Sequence, residues 1–308
     1  MSKICESVTE LVGNTPLVKL SKLAQKYKVK ANILGKCEFF NPAFSVKDRV
    51  ALNMLEKAPF TKITLDTVFV EATSGNTGIG LAAMCAAKGY KLVIIMPENM
   101  SVERVKLMRH FGAEVILTPA QEGMSGAVKK AQMLAEKNKN VILLKQFENE
   151  ANPQAHMLTT AMELMEQTKA NIDAIVCGVG TSGTLTGLAK ALKTYNPDLY
   201  VVAVEPKESP VLNGGKADVH KISGIGANFV PPFFEPDLVD EIIDIVGDDA
   251  VNMAKEVAQT EGLGVGISAG AALKAALELG KRPEMKDKNI VVILPDAIER
   301  YLSLSYFS

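Results

Sequence analysis

The chain has 308 residues, of which 47% are hydrophobic and 22% charged, and its formal net charge at pH 7 is -1. So balanced a charge disfavours nucleic acid and anionic membranes as partners. The longest apolar run, around "GIGLAAMCAA", is too short to cross a bilayer, and the first ten residues lack the apolar stretch of a signal peptide. We therefore expect a cytoplasmic protein, and the length predicts two domains.

Cysteine and histidine are sparse and scattered. The four cysteines, Cys5, Cys37, Cys85 and Cys177, form no CxxC pair, and the chain has only three histidines. This spacing is not that of a zinc site, so we expect no metal. Buried free thiols are the better interpretation.

Short β-branched runs alternate with helical patterns in two series along the chain. The first series is "TVFVEA", "GIGLAAMCAAKGY", "KLVIIMP", "VERVKLMRHFGA" and "EVILTP"; the second is "DAIVCGV", "TLTGLAKALKTY", "YVVAVEP" and "NIVVILPDA". Such alternation indicates βαβ units. The sequence thus predicts an α/β protein of two lobes, each with a mostly parallel twisted sheet flanked by helices.

The lobes are divided by a polar stretch, "KQFENEANPQAH", where the helical and strand periods are lost. We predict a smaller, mobile lobe at 40–148 and a larger lobe formed by 1–39 and 149–308. A second irregular stretch, "PKESPVLNGGKADVHKISGIGANFVPPFFEPD", is long for a connection, and such loops are often walls or lids of functional sites.

The stretch "VCGVGTSGTLTG" places GxGxxG between a strand and a helix, and Glu205 ends the next strand. That order fits a dinucleotide fingerprint, which makes an NAD-dependent dehydrogenase one hypothesis. A phosphate monoester can use the same backbone N–H groups, and a turn without a ligand is a further alternative. Three hydroxyls stand in the turn: Thr181, Ser182 and Thr184.

A second loop, "EATSGNTGIG", also lies between a strand and a helix of small residues. Its hydroxyls, amide and N–H groups at a positive helix end would receive a small anion such as a carboxylate. Helix capping is the alternative, but one hydroxyl suffices for a cap. Three hydroxyls within five residues therefore favour a ligand.

Two more helix starts carry candidate residues. In "NPAFSVKDRVA" we expect Ser45 to cap a helix and Lys47 to lie in its first turn, where the dipole favours a neutral, nucleophilic amine. A merely solvated lysine is the alternative. In "GVGISAGAALKAAL", Ser268 would either cap a helix or offer one neutral hydrogen bond to a ligand.

The four loops together describe a site at the carboxyl edge of parallel strands, with places for a phosphate, a carboxylate and an amine. A dehydrogenase would leave Lys47 and the "TSGNTG" loop without a role. A non-catalytic amino-acid-binding protein would need the carboxylate loop but no cofactor. A lysine that anchors a cofactor and moves protons accounts for all the pieces.

The stretches "NPAFSVKDR", "TSGNTG", "GVGTSGT" and "GISAG" resemble the cysteine synthase (O-acetylserine sulfhydrylase) family of fold-type II, tryptophan synthase β-like, pyridoxal-phosphate enzymes. The resemblance covers nearly the whole chain, from "LVGNTPLV" through "MPENMSVERVKLMRHFGAEVILTP" and "KQFENEANP" to "VAVEPKESPVLNGG" and "VVILPD". It implies pyridoxal 5'-phosphate as cofactor, bound by the larger lobe.

The resemblance also implies a role for each matching residue. Lys47 would carry the cofactor as a Schiff base and act as the general base. Asn76 would bind the 3-oxygen of the ring, and Ser268 its pyridine nitrogen. The phosphate would be held by Gly180, Thr181, Ser182, Gly183 and Thr184. The substrate carboxylate would be received by Thr73, Ser74, Gly75, Thr77 and Gln146, and 224–229 would form part of the entrance wall.

The implied reaction is β-replacement, in which O-acetyl-L-serine loses acetate to give an α-aminoacrylate and sulfide then adds to form L-cysteine. Related activities on cysteine or serine, including sulfide release and the formation of lanthionine or cystathionine, are the nearest alternatives. The family implies a homodimer. Some members dock the C-terminal tail of serine acetyltransferase, which is a candidate partner here.

The chain departs from the family pattern at several positions. Ala43 and Phe44 stand where two small residues, often Gly-Gly, are usual, and an aromatic ring so near Lys47 would narrow the space for the leaving group or nucleophile. Other departures are Ser182 for a glycine, Glu150 for a proline, Asn228 for a glycine, and Ala297 and Ile298 for Ser-Gly. Asn228 lies in the expected entrance wall, so these departures bear on the choice of nucleophile.

Overall fold

The computed structural model describes residues 4–58 and 63–307. Its strands are β1 (Leu17–Lys19), β2 (Asn32–Cys37), β3 (Val68–Ala72), β4 (Lys91–Pro97), β5 (Glu114–Thr118), β6 (Val141–Leu143), β7 (Ala174–Gly178), β8 (Tyr200–Pro206), β9 (Glu241–Ile245) and β10 (Asn289–Leu294). Its helices are α1 (Ser21–Lys26), α2 (Lys47–Glu56), α3 (Asn76–Lys88), α4 (Val102–His110), α5 (Gly123–Lys137), α6 (Ala151–Ala155), α7 (Ala161–Thr168), α8 (Gly183–Tyr195), α9 (Gly247–Glu261) and α10 (Ile267–Gly280). A π-helical turn, His156–Thr160, joins α6 to α7.

The described residues divide into two compact units. The first comprises those of Met1–Val12 and Asn41–Asn152, and the second those of Gly13–Phe40 and Pro153–Ser308. The segment up to Val12 was expected with the larger lobe but lies in the first unit, where Val12 packs against the apolar core. The second boundary falls inside the polar stretch 145–156. The mobility of the smaller lobe stays a prediction.

The first unit is built on a parallel sheet with the order β5-β4-β3-β6. Alternate side chains of its strands face opposite layers. Phe69 and Ile94 join the core formed with α2 and α3, whereas Val70 and Val93 pack with Ala127 of α5. Strands buried on both faces need apolar residues at consecutive positions, which explains why "KLVIIMP" forms β4.

The second unit contains a sheet with the order β1-β2-β10-β7-β8-β9, in which β1 is antiparallel to β2 and the other pairs are parallel. Ala174 and Val176 of β7 face the core that includes α9 and α10. Ile175 and Cys177 face α8. Both units are therefore helix-flanked, mostly parallel sheets, and the predicted fold class is confirmed.

Sequence patterns found the strands that are long and buried but missed short ones. The three-residue strands β1 and β6 carry no fully buried residue. Strands so short and so little buried need no long apolar run, so the sequence does not mark them. Within the described chain, the predicted irregular stretch holds no helix or strand between β8 and a short 3₁₀ turn at Pro236–Leu238.

The cysteines differ in burial. Cys37, Cys85 and Cys177 are buried free thiols, and burial raises the pKa of Cys37 and of Cys85 to about 12. Cys5 is only partly buried, so the prediction of burial is wrong there. Across 4–58 and 63–307 no helix combines the length and the apolar character needed to cross a membrane.

Candidate functional site

The first unit places Lys47 at the start of α2, in the turn that follows Asn41. Ser45 Oγ accepts a hydrogen bond from the Lys47 backbone N–H at 3.2 Å, and Asp48 accepts one from the Ala43 N–H. These bonds fix the tight turn before the helix. Lys47 is half-buried, and its predicted position in the first helical turn is confirmed.

The loop between β3 and α3 contains the residues predicted to receive a carboxylate. Thr73 Oγ1 accepts from the Gly75 N–H at 3.3 Å, and the Thr77 hydroxyl donates to Gln146 Oε1 at 2.7 Å. The α3 helix begins at Asn76 with Gly75 as its N-cap, without a side-chain capping bond. The N-cap position is thus held by a glycine and not by one of the hydroxyl residues of the loop. Ser74 is half-buried beside them.

Lys47 and this loop are brought together by the packing of α2 on α3. A Cβ added to Gly80 of α3 would lie 3.1 Å from the Lys47 carbonyl oxygen. The glycine at position 80 permits this close approach of the two helices without displacing either of them. The start of α2, which carries Lys47, is therefore close to the first turns of α3, the helix that follows the loop.

The second unit holds the glycine-rich turn between β7 and α8. Ser182 adopts a left-handed conformation, with φ 68°, and the Gly183 N–H donates to Thr181 Oγ1 at 3.2 Å. The turn leads directly into a helix of 13 residues whose first N–H groups have no acceptor within the helix. Free N–H groups at a helix start are suited to binding a phosphate.

Gly180 of this turn lies against a loop of the long irregular stretch. A Cβ on Gly180 would stand 2.6 Å from the Gly224 carbonyl oxygen, and the Gly226 N–H donates to Val179 O at 2.9 Å. A Cβ on Gly224 would in turn lie 3.9 Å from Ser268 Oγ. The turn, the loop and Ser268 therefore line one region of the second unit.

Ser268 lies in the first turn of α10, whose N-cap is Gly266. It is buried and makes no capping bond, so the capping alternative from the sequence is wrong. The other interpretation of Ser268, a neutral hydrogen bond from its hydroxyl to a ligand, stays a prediction.

Sequence reasoning missed His156, which is fully buried next to the glycine-rich turn. Its Nε2 lies 3.2 Å from Thr184 Oγ1 and its Nδ1 lies 3.0 Å from Thr160 Oγ1. The imidazole thus orients a hydroxyl of the turn. No sequence signal predicts it, because the π-helical turn that carries it has none of its own.

Glu205, the acid of the dehydrogenase hypothesis, is engaged by its own loop. Its two oxygens accept from the N–H groups of Leu212, at 2.8 Å, and Asn213, at 2.9 Å. Burial raises the pKa of Glu205, whereas these two bonds lower it. A carboxylate used in this way organises the loop after β8 and is not available to a ribose.

Comparison with known proteins decides among the hypotheses. Residues 8–296 match the family described as "Pyridoxal-phosphate dependent enzyme". The chain belongs to this pyridoxal-phosphate dependent enzyme family. The predicted enzyme class and cofactor are confirmed, and the dehydrogenase and the non-catalytic binding protein are wrong.

Similar proteins agree with the family assignment over the full length. The chain is 47% identical to a cysteine synthase of Staphylococcus aureus over 99% of this chain and 98% of that protein. The crystal structure of a cysteine synthase from Entamoeba histolytica, 41% identical, superposes with a TM-score of 0.96 over 99% of this chain and 91% of that one. A hydrogen sulfide-producing enzyme from Fusobacterium nucleatum, 43% identical, gives 0.92 over 97% and 100%.

The residues of the glycine-rich turn fit the phosphate of pyridoxal phosphate. A Cβ at position 180 would clash with the Gly224 carbonyl oxygen, so the turn is held close to that loop, and the donors that the turn offers are N–H groups at a helix start and hydroxyls. Phosphate esters prefer such neutral donors at a helix N-terminus. The chemistry of the turn therefore agrees with the cofactor of the family.

Three departures from the family pattern share one backbone property. Phe44, Ser182 and Asn228, which stand where glycine is usual, all have positive φ angles of 64°, 68° and 65°. Glycine adopts this region freely, whereas a residue with a Cβ pays about 1–2 kcal/mol. Asn228 is the mildest case because asparagine tolerates the region. Its Oδ1 also accepts from Ser209 Oγ at 2.9 Å.

Phe44→Gly is expected to raise the free energy of unfolding by roughly 0.5–1 kcal/mol, since relief of backbone strain exceeds the added freedom of the unfolded chain. The ring is 60% exposed, so little packing is lost. Denaturant unfolding measures the effect, with Asn228→Gly as the matched control that changes stability less. A lower stability of Phe44→Gly than of the parent would contradict the expectation.

Proposed function

We propose that this enzyme forms L-cysteine from O-acetyl-L-serine and sulfide by β-replacement. One observation carries the proposal: the end-to-end similarity to cysteine synthases is accompanied, in the first unit, by a lysine at the start of a helix that packs on α3, the helix following the loop of anion-binding donors. An amino-acid substrate brings a carboxylate for the loop and a Cα proton for the amine.

Four sets of groups would hold the cofactor. Lys47 forms the covalent link, and Asn76 binds the 3-oxygen of the ring. Ser268 binds the pyridine nitrogen as a neutral partner, and the turn 180–184 binds the phosphate. When bound, pyridoxal phosphate supplies an electron sink for the charge that develops at the substrate Cα.

The loop of the first unit would receive the substrate. The α-carboxylate accepts from the N–H groups and hydroxyls of 73–77, together with the Gln146 amide, which fixes the orientation of Cα. The Lys47 amine would take the proton from Cα as general base and would return it after sulfide has added to Cβ in place of the leaving group. No other side chain is needed for these proton transfers.

We also propose the setting in which the enzyme works. The family resemblance supports a homodimer in the cytoplasm, a smaller lobe at 40–148 that moves during turnover, and serine acetyltransferase as a partner. Size-exclusion chromatography of the purified chain, alone and with the acetyltransferase, measures the first and last of these.

Release of sulfide from cysteine is a second candidate activity. It is favoured by the 43% identity to the sulfide-producing enzyme of Fusobacterium nucleatum and by the two departures at Phe44 and Asn228. This reaction would use the same lysine and the same loop, because cysteine also carries its leaving group on Cβ.

Initial rates separate the two candidates. We expect cysteine formation from O-acetylserine plus sulfide to exceed sulfide release from cysteine alone or from cysteine plus homocysteine, by about tenfold or more in kcat/KM. A negligible rate with O-acetylserine, next to a substantial rate with cysteine, would overturn the first proposal in favour of the second.

A further inference from the structure

A buried acid lies behind the carboxylate-receiving loop. Glu71 stands near the end of β3, two residues before Thr73, and its side chain is buried. Its Oε1 accepts from the Gln146 backbone N–H at 3.2 Å, and it also accepts from the Lys145 N–H and the Gln146 side-chain amide. None of the chemistry described above uses this carboxyl group.

Gln146 connects Glu71 to the loop. Its side-chain Oε1 accepts from the Thr77 hydroxyl at 2.7 Å, and its backbone carbonyl accepts from Asn152 Nδ2 at 2.8 Å. The backbone of Gln146 is thus held on both sides by hydrogen bonds. A side-chain amide has a donor end and an acceptor end, so it contributes differently to each neighbour depending on its orientation.

The charge of Glu71 dictates that orientation. An ionised carboxylate is acceptor-only, so the amide must turn Nε2 toward Glu71 and Oε1 toward Thr77, as observed. The Thr77 hydroxyl then donates its hydrogen bond to Gln146 and has no hydrogen left to donate to a ligand. A substrate carboxylate is also acceptor-only and gains nothing from an amide oxygen.

Protonation of Glu71 reverses the arrangement. Its O–H then donates to Gln146 Oε1, and the amide presents Nε2 toward Thr77. Thr77 accepts from Nε2, which releases its own proton for the incoming carboxylate. One added proton thereby converts this side of the loop from acceptors into donors.

We propose that Glu71 is a positioning residue whose protonation sets the orientation of the Gln146 amide, so that binding of the substrate carboxylate is accompanied by uptake of a proton. The inference rests on the proposed function in one respect, namely that Thr77 and Gln146 receive the carboxylate. Glu71 itself does not touch the substrate.

The surroundings allow Glu71 to change charge near neutral pH. Burial, the largest cause, raises the pKa of Glu71 to about 7, against the effect of its hydrogen bonds. Opposite it on β4 stands the apolar Ile94, and the buried residues of α3 are uncharged. The charged group that acts on it is Glu148, which raises the pKa further and is bridged at 3.0 Å to Lys145. The charged residues at the start of α2 are Lys47, Asp48 and Arg49.

The expected pH dependence follows from these facts. Below pH 7 Glu71 is protonated and the loop is ready to bind, whereas above pH 7 binding must first restore the proton. Because the bound form keeps its proton, the affinity for a carboxylate falls as the pH rises, by about 30-fold between about pH 6 and pH 8.5.

Calorimetry of the holoenzyme with propionate tests the proposal. Propionate has a carboxylate but neither an amine nor a leaving group, so binding is measured without turnover. We expect heats that differ between buffers of different ionisation enthalpy in the way that proton uptake requires. In Glu71→Gln, whose neutral amide can donate to Gln146, we expect no uptake and an affinity that stays at the low-pH level of the parent.

Glu150→Gln is the matched control, because it removes an exposed negative charge from the segment after β6. This variant should keep the proton uptake and the pH profile of the parent. Binding of propionate without proton uptake in the parent, or the same pH profile in the parent and Glu71→Gln, would overturn the proposal. Proton uptake and the pH dependence of propionate affinity are both measured without cysteine formation. A failure of the proposed function can therefore be distinguished from a failure of this inference.

Discussion

Lys47→Ala is expected to abolish the covalent attachment of pyridoxal phosphate and to lower the rate of cysteine formation by at least about 10³-fold, since one side chain would supply both the cofactor link and the general base. The helix that carries it should persist, because alanine is the best helix former. The cofactor linkage is measured by the visible absorbance of the purified protein and by peptide mapping after borohydride reduction.

Lys57→Ala supplies the matched control for this experiment. Lys57 is an exposed lysine at the other end of α2, so its removal changes the charge by the same amount and leaves absorbance and rate unaltered. Recovery of a reduced cofactor on a peptide that lacks position 47 would contradict the assignment, as would a Lys47→Ala variant with the parental rate.

Gly270→Ala is expected to lower the free energy of unfolding by about 3 kcal/mol or more, which is the scale of overpacking in a buried core. Position 270 lies where α10 crosses α9. An added Cβ would overlap the Ala250 carbonyl oxygen and would stand 2.9 Å from the Ala254 nitrogen. Both atoms belong to backbone, so the clash is relieved only by moving one helix away from the other.

Denaturant unfolding measures this change. Lys274→Ala, one helical turn along α10, is the control and should alter the free energy of unfolding by less than about 0.5 kcal/mol, because its side chain is partly exposed. An unfolding midpoint for Gly270→Ala equal to that of the parent would show that the helices separate without cost. Such a result would also contradict the explanation that close packing on α9 requires glycine at position 270 of "GISAG".

Local pattern was sufficient for much of the fold and for the position of the helix starts. Strands such as β4 and β8 are buried on both faces, so they appear as continuous apolar runs whatever the rest of the chain does. Asn-Pro and Ser45 mark the start of α2 within a few residues, and they therefore predict that Lys47 lies in its first turn. These features depend on neighbours in sequence.

Contacts between residues far apart in the chain could not be predicted from local sequence patterns. His156 beside Thr184, Gln146 between Glu71 and Thr77, and Gly224 against Gly180 each join residues far apart in the chain. Glu205 shows the risk of relying on spacing, because it stands where a dinucleotide motif requires an acid and yet binds the backbone of its own loop.

The sequence by itself determined two mostly parallel, helix-flanked sheets, the glycine- and hydroxyl-rich loops at the strand ends, and the lysine at the start of α2, because hydrophobic period, glycine and helix-start residues act over a few positions. The tertiary structure decided which groups meet: Ser268 in a helical turn already capped by Gly266, and Glu71 behind Gln146. The reason is physical, since the packing of helices against sheets brings together residues that no local pattern relates.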